Sequence, residues 1–249
     1  MRRSKWMLAA ALGAALLGAG ALAAQAVELK DPSGDDFGPG NYVYPTDTVY
    51  KAGSFDLTGF ELEVDGKKAD VSVTVNSALE DPWGMKVGFA VQMVFIFIDT
   101  DHKEGSGFTD GIPGLNVKFA PADAWDKAIV LSPQSAARVR TEVETKAEAM
   151  KDAVVVPGRT KGSVRTISAS VDLADLGGGD PATWGYQVVM QSNEGFPEAA
   201  EVLTRRVNEY EGQHRFGGGN DGMCDPHLMD VLAGAGAGVE KSTVGGVAI

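Results

Sequence analysis

Apolar and polar positions along the chain keep mostly a two-residue period, which marks strands with one buried face. Ala69, Val71, Val73 and Val75 alternate with Asp70, Ser72 and Thr74. Ile167, Ala169, Val171 and Leu173 alternate in the same way, as do Tyr186, Val188 and Met190. From Phe55 the period runs to Leu57, breaks at Gly59 and resumes at Phe60, Leu62 and Val64. A bulge or bend at the glycine produces such a slip. Val87 to Ile98 is a nearly continuous apolar run broken by Gln92. It reads as a strand buried on both faces, and it is too short for a bilayer, which needs about 20 apolar residues.

Lys127 to Leu131, Val154 to Val156 and Val202 to Val207 are shorter strand candidates. Within Ser135 to Met150, Val139, Val143 and Met150 fit a helical stripe, while Arg138 to Val143 reads equally well as a strand. Strands separated by Gly, Pro and Asp clusters predict an all-β protein, an antiparallel sandwich or barrel, with at most one short helix near 135–150.

Composition narrows the class. The 249 residues are 44% hydrophobic, enough for one sizeable core. With 22 basic and 34 acidic residues the formal charge is −12, which disfavours binding to a phosphate backbone. Arg2, Arg3 and Lys5, an apolar stretch from Trp6 to Ala23 and a small-x-small site at Ala24-Gln25-Ala26 predict a cleaved signal peptide over 1–26. The protein is therefore expected in the periplasm, outside the cell or on its surface. One folded module is expected over 27–232, followed by a Gly/Ala-rich loose tail over 233–249. Cys224 is the single cysteine, so no intramolecular disulfide is available.

No phosphate loop, His-Glu-x-x-His or Gly-x-Ser-x-Gly motif is present. His102, His214 and His227 are too far apart for a zinc site on one element, and nothing completes a nucleophile around Cys224 and His227. No catalytic residue is nominated.

The acidic opening Asp31-Pro-Ser-Gly-Asp35-Asp36-Phe-Gly-Pro-Gly-Asn41 sets three carboxylates among turn residues. It reads either as a solvated turn or as a Ca²⁺ loop, since that ion takes about six to eight oxygens. With Lys30 as the nearest basic neighbour, the expected metal residues are Asp31, Asp35 and Asp36. Asp99, Asp101, Asp221 and Asp225 are candidate contributors from distant loops. The loop Asp99-Thr-Asp101-His-Lys-Glu104 starts like an EF-hand but has Lys103 where an oxygen ligand belongs.

Flat aromatic rings stack on sugar C–H faces. Trp83 sits in the loop Asp81-Pro-Trp-Gly84, and it joins Tyr42 and Tyr44 as expected ligand-facing residues. Trp125 and Trp184 read as core.

Ordered blocks carry a family resemblance. They run from residues 31–47 through Gly53 to Phe60, Asp81 to Gly84, Gly88 to Gln92 and Phe97 to Thr100. Ile112 to Asn116, Ala124 to Ala128, Arg215 to Gly219 and Asp225 to Leu232 complete the series. Over about residues 29–240 the chain resembles the glucodextranase C-terminal domain family, extracellular binding modules also found on pullulanase-type amylases. That family is similar to family-nine carbohydrate-binding modules and DOMON domains.

The resemblance implies a jelly-roll or DOMON-like β-sandwich, a structural Ca²⁺ near the N-terminal loop, and a polysaccharide or cell-envelope glycan as partner. Two alternatives stay open. One is a periplasmic haem-binding redox protein, which needs an axial Met with a His or Lys, whereas Met85, Met93 and Met190 read as core filler. The other is a purely structural envelope component.

Overall fold

The computed structural model describes residues 26–219, 225–235, 243–244 and 247–248. The expected leader lies outside the described residues except for Ala26, which opens the first strand; Asp221 and Cys224 also lie outside. Ten main strands follow in chain order: β1 (Ala26–Lys30), β2 (Leu57–Asp65), β3 (Lys68–Val75), β4 (Gln92–Asp99), β5 (Lys127–Leu131), β6 (Val154–Val155), β7 (Thr160–Ser163), β8 (Thr166–Asp172), β9 (Gly185–Ser192) and β10 (Asp230–Ala235). They form two five-stranded sheets, ordered β1-β2-β3-β8-β7 and β10-β9-β4-β5-β6.

The all-β sandwich expected from the alternation is the fold. Phe60, Leu62, Val71, Val73 and Ile167 of the first sheet pack against Val94, Ile96, Ile98, Ile129, Val188 and Met190 of the second. The outer face of the first sheet keeps the intervening polar positions, among them Glu61, Glu63, Asp70 and Ser72. That one-sided burial is why β2, β3 and β8 alternate so cleanly. The β2–β3 register shifts between Leu57 and Gly59, where the hydrophobic phase slips.

The second sheet is covered on both faces. Met93, Phe95 and Phe97 point into an outer cluster closed by Ile112, Leu115, Phe119, Trp125 and Leu203. All eight residues of β4 are buried, which explains its unbroken apolar run. Helix α1 (Ala136–Lys146) lays Val139 and Val143 on that cluster, with the Ser135 hydroxyl accepting from the Arg138 N–H at its start. Of the two readings for this segment, the helix is the structure. Trp125 and Trp184 are core, 1% and 2% exposed.

Three expectations are corrected. The second sheet is mixed, because the two-residue β6 pairs parallel to β5. Val202 to Val207 is a largely buried loop: the Val202 N–H donates to the Pro113 carbonyl, Thr204 bridges Asn193 and Val207 bridges Phe216, so no single neighbour completes a ladder. The folded module runs past 232, since Ala233, Gly234 and Ala235 pair with Gln187, Tyr186 and Gly185 of β9. Small residues suit this stretch, as Gly234 lies under the Leu29 side chain. Beyond it, Thr243–Val244 pairs with Val247–Ala248, and the rest of the tail is outside the described residues.

Candidate functional site

Strand β1 leads directly into the acidic loop at the end of the sandwich where β2 and β10 meet. Asp31 still donates its N–H to Thr58. The chain then turns, with the Gly34 N–H on the Asp56 carboxylate at 2.8 Å and the Gly38 N–H on the Met229 carbonyl at 2.8 Å. Gly38 has φ +56°, and a Cβ there would lie 2.2 Å from the Tyr42 ring, so glycine is required. These bonds tie the loop to Asp56, before β2, and to the start of β10.

The result is a convergence of carboxylates. Oxygens of Asp31, Asp35 and Asp230 lie within 4.8 Å of one another. Asp230 is buried, and its two oxygens accept the N–H groups of Leu57 and Val231, each at 2.7 Å. One oxygen of Asp31 and one of the fully buried Asp56 have no hydrogen-bond partner. Burial first, then the charges of Asp35 and Asp56, push the Asp31 carboxyl up to about 7. Burial pushes Asp230 up to about 8, against the lowering effect of the Leu57 N–H and with further contributions from Asp31 and Asp35. Among the described residues, no ion pair joins Lys or Arg to this group; Lys30 turns to Glu28 instead.

Two ionised carboxylates this close repel by about 3 kcal/mol at an effective dielectric near 20, less where water screens the exposed Asp35. Protonation or a cation relieves such repulsion. A hard divalent ion fits: oxygens on opposite sides of Ca²⁺ at about 2.4 Å are about 4.8 Å apart. The donor set is all oxygen, which suits Ca²⁺ rather than a softer metal.

Of the expected metal residues, the structure brings Asp31 and Asp35 together and turns Asp36 away. Asp36 is 3% exposed and accepts the Tyr44 hydroxyl. Asp230 stands in its place. Sequence reasoning missed it, although an aspartate set inside the apolar run Leu228-Met-Asp-Val-Leu232 is the signal of a buried carboxylate with a task. Asp56 was missed too. Asp99 and Asp101 belong to a separate group with Asp126. Asp225 lies beside Tyr42, whose hydroxyl titration it raises together with burial.

The three expected ligand-facing aromatics part ways. Trp83 is 39% exposed, with its ring 6.4 Å from both Tyr50 and His214. Tyr42 and Tyr44 are held by their surroundings instead of standing free. The Tyr42 hydroxyl donates to the Pro226 carbonyl at 2.7 Å, and the Tyr44 hydroxyl donates to Asp36 while accepting the Phe55 N–H. An irregular loop gives no period from which to read which way a ring points. Both tyrosines nevertheless line an open cleft of about 630 Å³ with Phe37, Val43 and Tyr50. Gly34, Asp36 and Asp56 also line it, so the cleft borders the loop that carries Asp31 and Asp35. Met93 and Met190, considered as haem ligands, are fully buried in the cores on opposite faces of the second sheet.

Two packed sheets, with a loop-built cleft and a carboxylate centre at one end, define a β-sandwich module. The sequence model for the C-terminal binding module, SLH-like, of glucodextranase matches residues 26–243. The chain belongs to this family. No curated protein matches the chain closely enough to serve as a relative. Among the described residues, no helix is long and apolar enough to cross a membrane.

Proposed function

We propose that the protein is a non-catalytic, exported module that binds a polysaccharide or cell-envelope glycan and holds a structural Ca²⁺ at Asp31, Asp35 and Asp230. The observation that carries the cation is the convergence of these three carboxylates, with unpartnered oxygens on Asp31 and Asp56 and, among the described residues, no ion pair to a basic side chain. The ion pins the start of the chain to β10 and closes this end of the sandwich. Family membership supports the binding role, and the exposed Trp83 ring supplies a surface suited to a sugar face.

The test is a pull-down of the purified protein on insoluble polysaccharides and isolated cell envelopes, with thermal melts in Ca²⁺ and in EDTA. Saturable retention that Trp83→Ala weakens, together with a midpoint raised by Ca²⁺, is the expected result. Hydrolysis of a polysaccharide, abolished by one Asp or Glu substitution, would overturn the non-catalytic reading. An unchanged midpoint would remove the ion.

A further inference from the structure

We infer that the cleft beside the carboxylate centre takes a neutral pyranose chain, and that cation and sugar binding are coupled through the loop 31–44. This rests on the function proposed above and goes beyond it by naming the groove, the charge class of the sugar and a linkage between the two sites.

The coupling follows from shared parts. Asp31 and Asp35 belong to the carboxylate centre, while Gly34, Asp36, Phe37, Tyr42, Val43 and Tyr44, from the same short segment, line the cleft. Two of the anchors that hold the segment lie beside the centre. Asp56 accepts the Gly34 N–H with one oxygen and leaves the other, which is buried, unpartnered; Met229, next to Asp230, accepts the Gly38 N–H. Cation binding neutralises the carboxylates and draws Asp31 and Asp35 toward Asp230. Without the cation, repulsion works directly against those anchors, and the cleft loses the wall that carries Phe37 and Val43. A ligand that needs this wall binds the ion-loaded state better, and linkage then requires that the sugar tighten the ion by the same factor.

Charge selects the occupant. Among the described residues, the lining includes the carboxylates of Asp36 and Asp56 and neither Lys nor Arg. The nearby centre has three carboxylates, one more charge than a divalent ion cancels. A sulfated, phosphorylated or uronic chain meets repulsion there, whereas an uncharged chain does not. Phe37 and Val43, 44% and 46% exposed, offer apolar surface to sugar C–H faces, and the exposed Asn76, whose amide N–H is held by Asp56, offers its amide oxygen to hydroxyls. Tyr50 lies in the cleft and touches Trp83, so a chain longer than the cleft continues onto the exposed indole.

Calorimetric titration of the full chain tests this with dextran and cello-oligosaccharides and with dextran sulfate oligosaccharides of matched length, each in millimolar Ca²⁺ and in EDTA. The expected result is binding of a neutral probe in Ca²⁺, with Kd rising about 5- to 150-fold in EDTA and the Ca²⁺ Kd falling by the same factor in saturating sugar. Phe37→Ala should lose the sugar while keeping the Ca²⁺-induced rise in melting midpoint. Asp35→Asn should lose that rise and bind sugar only as wild type does in EDTA.

Equal sugar affinity with and without Ca²⁺, in protein whose midpoint Ca²⁺ does raise, overturns the coupling and leaves the proposed function standing. Unaltered sugar binding by Phe37→Ala, tighter binding of the sulfated probe, or no binding of any neutral probe overturns the groove. A midpoint indifferent to Ca²⁺ overturns the coupling and the calcium reading together.

Discussion

Two carboxylate groups stand at different places on this molecule, alike in number and spacing. Asp31, Asp35 and Asp230 form one; Asp99, Asp101 and Asp126 form the other. They differ in what the protein gives their oxygens. In the second group Asp99 accepts the N–H groups of Asp101 and His102, Asp101 accepts from Lys103 and the Ser106 hydroxyl, and Asp126 accepts both the N–H and the hydroxyl of Thr100. Those carboxylates organise a turn. In the first group Asp31 keeps an oxygen without a donor, as does the neighbouring Asp56. The two groups are alike as clusters of acids and differ in the donors that Asp31 and Asp56 lack.

The largest expected effect separates the two groups directly. Ca²⁺ at a hundredfold excess over Kd stabilises a fold that alone binds it by about 2.7 kcal/mol. For a domain of this size that raises the midpoint by roughly 5 to 10 °C. Asp31→Asn or Asp35→Asn should abolish the rise, and Asp126→Asn should leave it intact. In EDTA, Asp31→Asn should melt above wild type, since it removes a half-buried charge that repels its neighbours. An Asp31→Asn variant that melts lower in EDTA and still responds to Ca²⁺ would place the ion elsewhere.

Next comes the turn-forming group. Asp99→Ala takes the acceptor from two backbone N–H groups and should cost about 1–3 kcal/mol, equally in Ca²⁺ and in EDTA. A cost that appears only in Ca²⁺ would make the second group a cation site as well. Chemical denaturation in both conditions reads the difference.

The pH dependence should be of opposite sign with and without the ion. In EDTA, Asp31 and Asp230 have folded values near 7 and 8 against an ordinary 3.8, so the folded state binds protons more tightly than the unfolded chain. Asp35 and Asp56 face Asp31, and Asp31 and Asp35 face Asp230. Stability in EDTA should fall as pH rises from about 4 toward 8 and recover on acidification. In Ca²⁺ the ion needs the ionised carboxylates, so acidification over the same window should weaken its binding and lower the midpoint. Parallel curves in the two conditions would mean that no cation competes with these protons.

Much of the sandwich was legible because its period reports burial. Strands with one wet face alternate, as β3 does; β4, covered on both sides, does not; and the slip at Gly59 marks the bulge. The short run Val154 to Val156 marks β6, but two paired residues carry no sign that the pairing is parallel. The carboxylate centre was half legible. Asp31 and Asp35 are close in sequence, but Asp230 reaches them only because β10 and β1 are edge strands on the same side of the two sheets. Asp36, beside Asp35, faces Tyr44, and no period within an irregular turn shows that two adjacent aspartates point to different partners.

The smallest expected effect is the sharpest form of the comparison, because it applies one substitution to two exposed loop aspartates. In Asp101→Asn the new side chain keeps a carbonyl oxygen that accepts from the Lys103 N–H and the Ser106 hydroxyl as the carboxylate does at 3.0 and 2.9 Å. Only the charge is lost, at a position open to water, and such surface changes are usually worth within about 0.5 kcal/mol. Asp101→Asn should therefore melt within a degree or two of wild type, with its Ca²⁺ response unaltered. Asp35→Asn is as conservative in shape and as exposed, yet it takes one of three negative charges from the centre. It should lose the Ca²⁺ response while its midpoint in EDTA holds or rises. Melts of the two variants side by side decide the matter: if Asp101→Asn loses the response and Asp35→Asn keeps it, the roles assigned to the two groups are reversed.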